Sequence, residues 1–126
     1  MAEAIVTLVA KKKMMRARAG ESTLPKIIGM VFGDGGVDSS GNVIAPLDSQ
    51  TSLKNELLRK PIDKYTFISD SVCRYECTLE NDELVGKYIS ELALYDEEGD
   101  LVAIKNFLKK GKDSDLEIKF QMDDEF

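Results

Sequence analysis

The stretch YISELALYDEEGDLVAIKNF, residues Tyr88 to Phe107, decides the fold. Its two halves, Tyr88 to Tyr95 and Leu101 to Phe107, are apolar runs of the kind that suit a pleated, half-buried surface. Between them Asp96-Glu97-Glu98-Gly99-Asp100 supplies turn-forming acids and a glycine able to adopt positive φ. The pattern predicts a β-hairpin with Gly99 in the left-handed region. Strict alternation puts Tyr88, Leu92 and Leu94 on one face and Ile89, Ala93 and Tyr95 on the other. A sheet covered on one side only would leave the second apolar face wet, so this hairpin is the expected contact surface for further copies of the chain.

Downstream, Leu116, Ile118, Phe120 and Met122 alternate with Glu117, Lys119 and Gln121, which predicts a half-buried strand whose acidic end, Asp123-Asp124-Glu125, frays into solvent. Upstream lie two more predicted strands, Ile62 to Ser69 and Ser71 to Glu80, with a turn at Ser69-Asp70. In the second, Cys73, Tyr75, Cys77 and Leu79 form the buried face and Arg74, Glu76 and Thr78 the wet one. Thr51 precedes Leu53, Leu57 and Leu58 as a hydroxyl cap would, which predicts a short helix or turn stopped before Pro61. Residues 37–48 are rich in Ser, Gly, Asn and Asp and read as the longest loop. Lys26 to Phe32 is a β-branched run ending at Gly33-Asp34-Gly35-Gly36, a buried strand entering a tight loop. Ala2 to Ala19 reads as a helix capped at Gly20, although Ile5, Val6, Thr7 and Val9 suit a strand equally well. The expected class is α+β: an N-terminal helix packed on a mainly antiparallel sheet of about five or six strands with a C-terminal hairpin, in one domain over residues 1–126.

Hydrophobic residues at 43% and charged residues at 32% over 126 residues fit one folded core rather than a disordered or fibrous chain. The apolar stretch from Ala4 to Ala10 has no basic residue before it and is far short of the roughly 20 residues that span a bilayer, so no signal peptide or membrane helix is expected. Cys73 and Cys77 sit roughly 13 Å apart along a strand, beyond the ~7 Å that a disulfide tolerates. Both are expected to be reduced core residues. Lys11, Lys12, Lys13, Arg16 and Arg18 against Glu3 give the first 20 residues a net charge of +4 in a chain of net charge −6. No aromatic residue lies among them, so nucleic-acid binding is not expected; they read as solvated cations that complement the helix dipole.

Histidine is absent, which removes Ser-His-Asp and Cys-His nucleophile pairs, histidine bases and most zinc or iron sites at once. Gly33-Asp34-Gly35-Gly36 lacks the lysine of a phosphate loop, and Asp38 stands where a dinucleotide fingerprint needs its third glycine. Asp38, Ser40 and Asn42 alternate like calcium ligands, yet Val43 and Ser49 occupy the glycine and glutamate positions of an EF-hand loop. Asp96, Glu97 and Glu98 could serve glycoside hydrolysis, but adjacent acids on a hairpin tip ordinarily keep an edge soluble, and no Trp offers a sugar platform. No catalytic, cofactor or metal site is expected, and function is expected to rest on an interface.

The block Ile89 to Ile104 resembles the signature of the phage tail-collar fibre family, a strand of the Ile-x-Glu-x-Gly-Leu-Phe/Tyr-Asp type turning through Gly-Asp into Leu-x-Ala. Phe32-Gly33-Asp34-Gly35 resembles that family's strand-to-loop element, and Leu53 to Ile62 its Leu-x-Asn-Glu-x-x-Arg-x-x-Ile element. The three occur in the family's order, with Ala93 in place of a common glycine and Lys11 to Lys13 in a usually less charged first helix. The resemblance implies a structural, non-enzymatic component of a phage, prophage or contractile-particle tail, connecting a fibre or accessory protein to the baseplate. It implies other tail or baseplate proteins as partners and a homo-oligomer with a trimer favoured; from the residues themselves, neither nucleic acid nor membrane is expected as a partner. Candidate interface or structural residues are Gly33, Asp34, Gly35, Asn55, Glu56, Arg59, Glu91, Tyr95, Asp96, Gly99 and Asp100. Because the sequence ends at Phe126, a distal receptor-reading part is not expected in it. The alternatives are a small soluble binding module with a loop-lined pocket and, behind it, a carboxylate hydrolase.

Overall fold

The computed structural model describes residues 4–126. Along the chain run β1 (Ile5–Val6), α1 (Leu8–Arg18), β2 (Ile27–Gly33), β3 (Glu56–Pro61), β4 (Lys64–Ser69), β5 (Val72–Leu79), β6 (Tyr88–Asp96), β7 (Leu101–Gly111) and β8 (Ile118–Glu125). The strands form two antiparallel sheets, one of five strands in the order β1-β7-β6-β2-β3 and one of three in the order β4-β5-β8. The fold is therefore mostly β with one short helix, and the single sheet expected from the sequence is two. The chain crosses from the large sheet to the small one between β3 and β4, through Ile62 and Asp63.

The hairpin is β6 and β7, with Leu94 opposite Ala103 and Tyr95 opposite Leu101. Gly99 holds φ +88° and donates its amide to the Asp96 carbonyl at 2.8 Å. A register shift between Ile89 and Glu91 brings Ile89 onto the same side as Leu92 and Leu94. That side faces the small sheet, and Met30, Phe32, Leu92, Leu94 and Phe107 pack there against Cys77, Leu79, Phe120 and Met122. Phe32 and Phe120 meet edge to face at 5.2 Å between ring centroids. The opposite face is covered too, since Val31, Ala93, Tyr95, Leu101 and Ile104 cluster with Leu53. Ile89, Leu92, Ala93, Leu94 and Tyr95 are buried within one chain and of the six residues expected on this contact only Tyr88 stays exposed, so most of that surface is already covered.

Other expectations are corrected by long-range contacts. The helix begins at Leu8 rather than Ala2, which lies outside the described residues; Ile5 and Val6 pair with Ile104 and Ala103 as a strand instead. Thr7 is the N-cap: its hydroxyl accepts from the Ala10 amide at 3.1 Å and donates to the Leu101 carbonyl at 2.7 Å. At the other end Gly20, at φ +84°, bonds to the Ala17 carbonyl while Glu21 bonds to that of Arg16, the Schellman pattern. No helix follows Thr51. Leu53 drops into the core, and Glu56–Pro61 becomes an edge strand beside β2, with Pro61 at its end. The β4–β5 turn is Asp70-Ser71, one residue later than expected. Asp123, Asp124 and Glu125 do not fray: they pair with Arg74, Cys73 and Val72. Glu76 and Thr78, expected to be wet, are buried; Lys64, Lys119 and Gln121 close over Glu76, and Thr78 donates to Asp63.

Candidate functional site

Glu91 sits on β6 with no exposed surface. Its carboxylate accepts three backbone amides, from Gly35 and Asn55 at 2.8 Å on Oε2 and from Lys54 at 2.9 Å on Oε1. These donors belong to the two segments that flank the 37–50 loop. Asp34 joins them, its amide bonding to the Asn55 carbonyl and its carboxylate accepting from the Asn55 side chain. Gly33 and Gly35 are small because there is no room: a Cβ on either would lie within 3 Å of Glu91. Next to this knot, Ser90 accepts the Gly36 amide, and Asn106 donates to the Ile44 carbonyl at 2.7 Å. One carboxylate thus ties β6 to both ends of a long loop.

The second cluster lies at the other end of β6. Arg59 on β3 stacks 4.7 Å above the Tyr95 ring, donates to the Gly99 carbonyl at 2.9 Å and pairs with Glu56. Tyr95 in turn lies across Gly29, where a Cβ would meet its ring at 2.3 Å. Asp96 is buried; one oxygen accepts the amides of Glu98 and Asp100, and the other accepts from Lys13 at 2.7 Å. Lys13 also reaches Glu98 at 2.9 Å and Asp100 at 2.7 Å. Partial burial works against its ammonium, but hydrogen bonds to Asp100, Asp96 and Glu98 outweigh this and raise its pKa above the ordinary lysine range. The three carboxylates have the spacing of a cation site, and the Lys13 ammonium stands at that point.

All eleven candidate residues fall into these two clusters: Gly33, Asp34, Gly35, Asn55 and Glu91 in the first, Glu56, Arg59, Tyr95, Asp96, Gly99 and Asp100 in the second. Three motif stretches that are separate in sequence thus meet along β6. The family model of the phage tail-collar fibre protein, N-terminal, matches residues 1–121. The chain belongs to the phage tail-collar fibre family. Among curated proteins and solved structures no match was found. In this tail-collar fibre protein the charged groups of the two clusters bond mainly to the backbone and to each other.

Sequence reasoning missed Lys13, which it grouped with solvated cations, and Thr7, Ser90 and Asn106, which it did not single out. Lys13 lies three residues after Ala10, the buried residue of α1, and that spacing puts it on the inward face. Asp38, weighed as a calcium ligand, instead accepts the amides of Ser40 and Asn42 and closes a tight turn. A cleft of about 580 Å³ is walled by strands, with Val6, Arg74, Lys105, Gln121 and Asp123 among its lining, and residues 33–50 contribute none of it.

Proposed function

We propose that this tail-collar fibre protein is a structural part of a phage, prophage or contractile-particle tail that connects a fibre or accessory protein to the baseplate. It does so through protein–protein contacts, as one of several copies. The family match over residues 1–121 carries the reading. The two clusters support it in a specific way. They brace the 37–50 loop and the 96–100 turn against β6, and they leave the surface itself as the functional element. Contacts with a partner fall on exposed parts, such as the outer face of α1 with Lys12, Met15 and Arg16, and the 37–50 loop. No helix among the described residues is long and apolar enough to cross a membrane.

The test is mass spectrometry of purified tail particles combined with cross-linking. The chain is expected in the particles at a stoichiometry matching a fibre or baseplate component, cross-linked to a baseplate protein. Its absence from intact particles overturns the reading.

A further inference from the structure

The two sheets are closed differently along their two sides. On one side the chain itself bridges them between β3 and β4, where the amides of Ile62 and Asp63 bond to the carbonyls of Ile28 on β2 and Glu76 on β5, one in each sheet. On the other side β7 and β8 are joined only by residues 112–117. Strand β8 pairs with β5 alone, and β1 pairs with β7 only at Ala103 and Ile104, so from Lys105 to Gly111 the outer edge of β7 has no partner strand among the described residues. A cleft of about 350 Å³ opens there, next to the larger one and sharing Lys105 and Gln121 with it. Its wall includes Ile118 and the buried rings of Phe107 and Phe120, whose centroids are 6.2 Å apart. Lys105, Lys110 and Lys119 line it too, and no carboxylate does. Lys105 stands opposite Leu92 and Lys110 opposite Ile89, both residues of the core between the sheets, so the two lysines start from the inner face of the large sheet. Neither makes an ion pair among the described residues, and Lys119 comes only within 3.9 Å of Glu76. In a chain of net charge −6 this is a local cationic mouth over an apolar floor.

We propose that this cleft is the docking site for an extended acidic segment of another protein. The segment adds as a strand to the free edge of β7, with apolar side chains against Phe107, Ile118 and Phe120 and carboxylates at Lys105 and Lys110. Charge complementarity selects this occupant. A neutral apolar strand would cover the floor but draw the ammonium groups out of water without a counter-charge, and a basic strand would meet them with repulsion. The neighbouring cleft has the opposite character, with Asp123, Asp124 and Glu125 in its wall, and this confines the segment's carboxylates to the lysine-lined part. The free backbone edge selects a peptide over a small anionic amphiphile, because main-chain bonds to residues 105–111 supply affinity while alternate side chains fit the cleft. The proposal rests on the cleft and not on the tail role, so either can fail without the other.

Selection from a displayed library of random peptides on the immobilised full chain tests it, the peptides being about twelve residues long and so able to span the free part of β7. The enriched sequences are expected to be acidic, with aliphatic or aromatic residues between the acids. A synthetic copy of the enriched sequence is expected to bind in fluorescence anisotropy with an affinity that falls as salt rises. Lys105→Glu and Lys110→Glu, each checked for folding by circular dichroism, are each expected to weaken that binding about tenfold. Lys110 is exposed, so its variant gives a reading even if Lys105→Glu, which sets a carboxylate near Asp123, does not fold. N-methylation of alternate amides in the synthetic peptide removes main-chain donors and is expected to abolish binding. Enrichment of neutral or basic sequences overturns the proposal, as does equal binding of the N-methylated peptide or equal binding by the folded charge variants. No enrichment overturns it as well: the lysines then only guard an exposed edge, or, if dodecanoate binds in the cleft instead, the site is one for a small amphiphile.

Discussion

Removing the Glu91 carboxylate tests the central claim about how this domain is held together. In Glu91→Gln the shape is kept, but an amide offers one acceptor oxygen where the carboxylate offers two. If that oxygen stays with the Gly35 and Asn55 amides, the new NH₂ group faces the Lys54 N–H, donor against donor. A buried donor left without a partner costs about 1–3 kcal/mol, and the remaining two bonds lose their charge assistance, so a loss of about 2–4 kcal/mol is expected. Glu91→Ala strands all three amides and opens a cavity, and a loss of about 4–6 kcal/mol is expected, a large share of a typical total of roughly 5–15 kcal/mol. Urea titration followed by fluorescence or far-UV circular dichroism measures both. Limited proteolysis adds a local readout, with cleavage within 37–50 rising before global unfolding, since that loop is pinned at both ends by this one side chain. A Glu91→Gln variant within about 0.5 kcal/mol of wild type, the range of an ordinary surface change, would refute the reasoning.

Lys13→Met should destabilise the domain by about 1–3 kcal/mol in a thermal or urea melt, below the usual cost of breaking a buried pair because two of its three partners are exposed. Gly99→Val should cost about 1–2 kcal/mol, and Gly99→Ala should share most of that loss. At φ +88° the nearest atom to an added Cβ is 3.9 Å away, so the cost is conformational and not steric. Burial holds the Asp124 carboxyl above the ordinary aspartate range, so its ionisation opposes folding at neutral pH. Asp124→Asn should therefore be more stable than wild type at pH 7, and the two melting curves should converge as the pH falls below the ordinary aspartate range. Asp123 behaves oppositely: its hydrogen bond to Arg74 lowers its pKa, so the stability it contributes is present at neutral pH and lost on acidification. Arg74→Ala should flatten the acid limb of the stability profile.

Local chemistry was legible because it needs few neighbours. The β6–β7 hairpin, the left-handed Gly99 and Gly20, and the period-two strands at β5 and β8 follow from residue type and spacing over a dozen positions or fewer. The absence of histidine and the incomplete phosphate and calcium patterns likewise follow from composition and spacing. Tertiary structure decided what an alternating pattern leaves open, namely which sheet a strand joins and what covers each of its faces. Ile89 to Tyr95 is apolar on both faces in either case. Only the arrangement of the small sheet on one side and Leu53 on the other shows that both faces are already covered, while β4 is not. Leu53 to Leu58 carries a sound local helix signal that lost to the strand, because Glu91, 36 and 37 residues away, takes the Asn55 and Lys54 amides and β2 supplies a ladder. The same holds for Lys13, whose partners lie 83 and 87 residues on. A side chain's bonds across such separations depend on where the backbone finally runs, and that is set by the packed core as a whole and not by any window of sequence.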